Sequence, residues 1–170
     1  MAYLAIPSQE PTTMLRPLLL LFVLFLSFPL VAQEPDRMDK MWRIYHDTEV
    51  SNRKRLEALH EIVSSMRSMD LDSSLTLAKQ LRTNAKEFKD TLMIGLGYRD
   101  MGLAYLMMRS SEPALACMDT ARLYYSVRQD PEFLRDAGAL ESNVAFALKN
   151  MGRMDQAREH YRKSIALHER

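Results

Sequence analysis

The sequence predicts an all-α fold, about three antiparallel helix pairs stacked behind one leading helix. From Asp36 onward apolar residues recur at helical spacing, and no segment sustains the alternation of a strand. The helix formers Ala, Leu, Met, Glu, Gln, Lys and Arg are abundant, while only 5 Gly and 7 Pro punctuate 170 residues. That balance favours helices joined by short turns.

The first segment belongs to export rather than to the fold. Arg16 and Pro17 precede the run LLLLFVLFLSF at 18–28, followed by Pro29-Leu30-Val31-Ala32 and the polar Gln33-Glu34-Pro35-Asp36. A positive residue, about a dozen apolar residues and a small residue before a polar stretch form a secretory signal pattern. The run is shorter than the ~20 apolar residues of a spanning helix. Residues 1–32 are therefore read as a signal peptide cleaved after Ala32, with an uncleaved anchor as the competing reading. Residues 1–13 contain Glu10, Pro7 and Pro11 but no Lys or Arg, so Met14 is the expected initiator.

The exported part begins with a leading helix within 33–50, where Met38, Met41, Trp42 and Tyr45 share one apolar face. Ser51-Asn52 offers an N-cap before Leu56, Leu59, Ile62, Val63 and Met66. Asp70 and Asp72 both suit a cap before a helix over 73–85. Asp90 precedes a helix with Leu92, Ile94, Leu96, Met101, Leu103, Leu106 and Met107. Ser111-Glu112-Pro113 places a cap and an early-turn proline before Ala114, Leu115, Met118, Ala121 and Leu123. Asp130-Pro131-Glu132 does the same before Phe133, Leu134, Val144, Ala145 and Leu148. Asn150-Met151-Gly152 is a helix stop, because glycine readily takes the left-handed conformation. Asp155 starts a last helix through Ala157, Tyr161, Ile165 and Leu167.

The helices repeat as pairs. Tyr98-x2-Met101-Gly102-x2-Tyr105 is followed by Ala114-x3-Met118-x2-Ala121. Val144-Ala145-x2-Leu148, Gly152 and Ala157-x3-Tyr161-x2-Ser164 restate the theme, with Glu141 where the first aromatic would stand. Ser74-x3-Ala78-x2-Leu81 is an earlier, degenerate form. The anchors Ser74, Ala114 and Ala157 lie 40 and 43 residues apart. This pattern resembles the tetratricopeptide repeat, whose unit is ~34 residues, so these are long repeats. They are expected at roughly 51–89, 90–129 and 130–170. With the export signal and the Asp70-x-Asp72-Ser73-Ser74-Leu75 segment, they also resemble the extracytoplasmic repeat regions of bacterial sensor kinases and related regulators. Gly102, Ala114 and Ala121 would let two helices approach closely while Tyr98, Met101, Tyr105 and Met118 fill the space around them.

The resemblance implies a right-handed superhelical array whose first helices line a concave face. Carried over position by position, Arg99, Leu103, Leu106, Ser142, Phe146 and Lys149 are the expected partner-binding residues. The implied function is non-enzymatic binding of a protein or peptide partner in the periplasm or cell envelope. The alternative is a truncated or split periplasmic sensory module of a sensor histidine kinase or transcriptional regulator. The chain stops after a second helix without a capping helix, so homodimerisation through that end is a further expectation. The Lys/Asn set with which some family members clamp a peptide carboxylate is not evident.

Composition narrows the other classes. The net charge is +1, and the one Arg and one Glu of residues 1–32 cancel, so nothing argues for nucleic acid. Membrane contact is expected only through the N-terminal segment. Cys117 is the single cysteine, which excludes an intrachain disulfide or a cysteine metal cluster; it reads as a small buried hydrophobe. His46, His60, His160 and His168 are scattered, without the spacing of a zinc helix. Each reads as a surface or half-buried helix residue. No nucleophile motif joins Ser, His and Asp. No enzyme activity, cofactor or metal is expected. Met101, Met118 and Met151 read as core positions, and Met107 and Met108 as partly exposed.

Overall fold

A computed structural model describes residues 35–125 and 131–169. The expected export signal, and the Asp130 cap, lie outside them. The described chain is all-helical: α1 (Pro35–His46), α2 (Asn52–Met66), α3 (Leu71–Glu87), α4 (Thr91–Met107), α5 (Ser111–Tyr125), α6 (Pro131–Asn150) and α7 (Met154–His168). None of these helices is long and apolar enough to cross a membrane.

The boundaries follow from local chemistry. Ser51 caps α2, its side chain accepting from the Lys54 amide. Asp70 caps α3, accepting from the amides of Asp72 and Ser73. Asp72 takes the first turn instead, where a negative charge meets the positive end of the helix dipole. Asp90 caps α4 through the Met93 amide at 3.1 Å. Other boundaries differ from expectation. The Ser110 carbonyl, not that of Ser111, accepts the first helical bond of α5, from Ala114. Arg153 precedes α7 without a side-chain cap, and Asp155 falls in its first turn. α1 ends at His46 rather than near Val50, because the Asp47 carboxylate accepts from the Glu49 amide and turns the chain.

The turns 88–90, 108–110 and 151–153 share one geometry. Lys89 (φ 56°), Arg109 (φ 60°) and Gly152 (φ 75°) take the left-handed conformation. The next residue's amide then reaches back to Ala85, Tyr105 and Leu148 respectively, at 2.9 Å each. This satisfies the last carbonyls of each helix. Arg109 and Gly152 are 43 residues apart, so the backbone turn keeps the spacing found between anchors.

Such short turns make consecutive helices antiparallel, and the contacts agree. A Cβ on Gly95 would meet Tyr124, and one on Gly102 would meet Met118 at 2.9 Å and the Ala114 carbonyl at 3.3 Å. α3 and α4 close up at Gly97, where a Cβ would stand 3.0 Å from the Arg82 backbone. Gly138 of α6 takes the His168 ring of α7 in the same way. The core joins Leu56, Leu59, Ile62, Leu81, Met118, Leu140 and Val144, each worth about 1.5–3 kcal/mol of burial. α1 is held by side chains. The Tyr45 hydroxyl accepts from Gln80 (2.7 Å) and Asn84 (3.0 Å), and Arg55 donates to the Tyr45 carbonyl. Trp42 stacks on His46 and meets the edge of Tyr45. Met101 and Met118 are core residues, and Cys117 is half-buried against a smaller cluster of Val63, Leu75, Ala78, Met101 and Ala104.

Candidate functional site

α2 touches α4, and α4 touches α6. Two features involve these helices, an open cavity beside α4 and α6 and a closed polar network that joins α2, α4 and α6. The cavity, of 630 Å³, is lined by Leu106, Met107, Arg109, Ser111, Phe146 and Asn150. Leu106 is nearly enclosed, but Met107 and Phe146 are 53% and 44% exposed. Large apolar side chains left this open are informative when they share a concavity. Arg109 enters at the rim because its turn residue is left-handed, carrying the chain from the end of α4 to the start of α5.

Of the six residues expected on the concave face, Leu106 and Phe146 come together in this cavity. Lys149 is exposed on α6, one turn beyond Phe146, and Leu103 and Ser142 are half-buried. Arg99 goes elsewhere. Its guanidinium lies 3.5 Å from Asp100, 3.4 Å from Asp136 and 3.3 Å from the His60 ring.

Asp100 is the centre of the polar network. It is fully buried on α4, accepting from His60 Nδ1 at 2.7 Å and from Arg67 Nη2 at 3.0 Å. Burial opposes its ionisation. The His60 hydrogen bond and the neighbouring Arg99 and Arg67 charges outweigh that, and hold the carboxyl below its ordinary value of 3.8. A guanidinium only donates, so His60 Nε2 accepts from Arg99 and the ring's proton sits on Nδ1, facing Asp100. Tyr125 closes the group from α5; burial pushes its phenol up, against the neighbouring Arg99 charge.

A second buried carboxylate is Glu141, at the position where the repeat pattern places an aromatic. His160 Nδ1 lies 2.5 Å from Glu141 Oε2, and Arg122 lies 3.6 Å from Oε1. Arg122 also pairs with Asp119. This group borders a 350 Å³ cleft whose lining includes Leu115, Arg122, Arg153, Gln156 and His160.

His60 and His160 are half-buried helix residues, as the sequence suggests, and each also holds a buried acid. The missed signal is spacing. His60 and Asp100 are 40 residues apart, the spacing of the first two anchors, and they meet between α2 and α4. Among the described residues no three His, Cys, Asp or Glu side chains gather as a metal-ion set. Comparison with protein-family models, with curated proteins and with solved structures finds no match to this chain.

Proposed function

We propose that the chain is a non-enzymatic scaffold of tetratricopeptide type, exported to the cell envelope, which binds a protein or peptide partner on the face formed by α2, α4 and α6. The observation that carries the reading is the 630 Å³ cavity between α4 and α6, with Phe146 and Met107 half-exposed in it. A monomer gains nothing from holding two large apolar side chains in a wetted concavity, whereas a docking partner would desolvate them. Two further features support the repeat reading: the close approach of Gly102 to Ala114 and Met118, and the left-handed turns at Arg109 and Gly152. The polar network suits a scaffold rather than a catalytic centre. Asp100 is wholly enclosed and its partners are committed to it. The export reading rests on residues 1–32.

The test is crosslinked affinity capture of the tagged chain from its own cell envelope, beside a Met107→Ala/Phe146→Ala variant. A specific partner that the variant loses supports the scaffold. Recovery of the chain alone, in equal amounts from both proteins, refutes the groove as the working site and points to self-association.

A further inference from the structure

The cavity's lining states what kind of segment complements it. Its floor is apolar: Leu106, Met107 and Phe146. Its polar members are Ser111, Asn150 and Arg109, a hydroxyl, an amide and a guanidinium, and no acid is among the described lining residues. Arg109 is exposed and makes no ion pair among the described residues. Lys149 is likewise exposed and unpaired there, three residues along α6 from Phe146 and so on a neighbouring part of the same helix surface. Arg99 is committed to Asp100 and Asp136, Arg122 to Asp119 and Glu141, and Arg53 to Glu57 and Asp90. The cavity therefore combines apolar area with positive charge that the described chain does not neutralise.

We propose that this cavity takes a peptide segment in which a large apolar side chain stands beside an Asp or Glu carboxylate. The proposal rests on the scaffold reading above and names the partner's chemistry. The apolar side chain enters between Met107 and Phe146, where the flexible methionine adapts to its shape. The carboxylate faces Arg109, whose planar fork can donate two parallel hydrogen bonds to it, with Lys149 adding to the positive field. The Asn150 amide and Ser111 hydroxyl are placed to bond the segment's backbone. A basic segment is disfavoured, since it would bring like charge to Arg109 and Lys149. A neutral apolar segment would fill the floor but leave the cations without their complement.

The experiment selects a displayed library of random short peptides on the purified full-length chain. Enriched peptides are then synthesised in pairs, with each acid or with its amide, and titrated by fluorescence anisotropy. The expected enrichment is Leu, Ile, Met or Phe next to Asp or Glu. The amide form should bind up to about fivefold more weakly, the range of a solvent-exposed charge pair, and the difference should shrink in high salt. R109S should erase the acid–amide difference while keeping the remaining affinity. F146A should lose binding altogether while its circular dichroism spectrum stays that of the parent. Peptides that need Phe146 but bind equally as acid and amide would overturn the charge proposal and leave the groove reading standing. Selected peptides indifferent to F146A, or no enrichment at all, would overturn both.

Discussion

Replacing Asp100 by alanine removes the carboxylate that holds His60, Arg67 and Arg99 together across α2 and α4. The side chain is fully buried, and it is the ion-pair partner of Arg67 among the described residues. Its loss leaves the Arg67 guanidinium, only 21% exposed, without a counter-charge, and leaves Arg99 with the partly exposed Asp136 alone. Breaking a buried pair in this way costs about 3–5 kcal/mol. With a urea dependence of about 2 kcal/mol per molar, the midpoint of unfolding should fall by about 1.5–2.5 M. Asparagine does not rescue it. One amide oxygen can accept from Arg67, but the NH₂ then opposes the His60 Nδ1 proton, and moving that proton to Nε2 sets it against Arg99. Arg67→Met in the Asp100→Ala background should recover part of the loss, because the uncompensated cation is the costly element.

The same reasoning fixes a pH dependence. The folded Asp100 pKa lies below its ordinary value of 3.8. The stabilisation is therefore complete above the ordinary value and is lost as the pH falls through the lower, folded value. The gap between parent and Asp100→Ala should be full at neutral pH and should close in strong acid. A midpoint shift under about 0.5 M at neutral pH, or a gap that widens on acidification, would refute the account of Asp100 as a buried counterion.

Other substitutions test other links. Gly97→Ala should lower the melting temperature. The facing Arg82 backbone stands 3.0 Å from the new methyl and cannot give way, so ~1–3 kcal/mol of overpacking outweighs the gain in helix propensity. Gly102→Ala should cost less, since its closest neighbour is the Met118 side chain, which can shift. Asp90→Ala should destabilise by about 1–2 kcal/mol: it removes the cap on Met93 and both bonds from Arg53, and raising the salt should recover little of it. Tyr45→Phe deletes the acceptor shared by Gln80 and Asn84 and should cost about 1 kcal/mol. Hydrogen exchange should then accelerate in α1 before it does in α4.

The helices were legible because capping residues and apolar spacing act locally. Asp70, Asp90 and Gly152 mark ends that the structure keeps. The close contact at Gly102 was legible for the same reason: a glycine between Met101 and Tyr105 leaves room for the small Ala114 of the next helix. The polar network was not legible, because its members sit on different helices and each alone reads as a solvated charge. Nothing near His60 in sequence states that a buried acid will face it. Glu141 was noticed only as a departure from the aromatic pattern. Its reason, the His160 and Arg122 partners, appears once α5 and α7 are brought against α6. The cavity was half legible. Phe146 and Leu106 came from repeat position, whereas Arg109 sits in a turn outside the helix positions considered.

The two kinds of seam in this fold place different demands on the sequence. Within a pair, Gly95, Gly102 and Gly138 let backbones approach, and apolar contacts of that sort tolerate sliding. Elsewhere, directional bonds join His60 on α2 and Arg67 at its C-terminal cap to Asp100 on α4, and Arg99 on α4 to Asp136 on α6. A slip of one helical turn, ~5.4 Å, would separate all of them and leave buried charge unpaired. The network therefore acts against alternative registers more than it adds stability, since apolar residues of similar volume often match or exceed a buried ionic group in stability. A His60→Leu/Arg67→Met/Asp100→Leu variant, which leaves Arg99 paired with Asp136, tests this prediction. It should unfold at a urea concentration equal to or above that of the parent, yet show exchange-broadened amide resonances along α2 and α4. Sharp, single resonances throughout both helices would mean that packing alone sets the register, and that the network has no part in it.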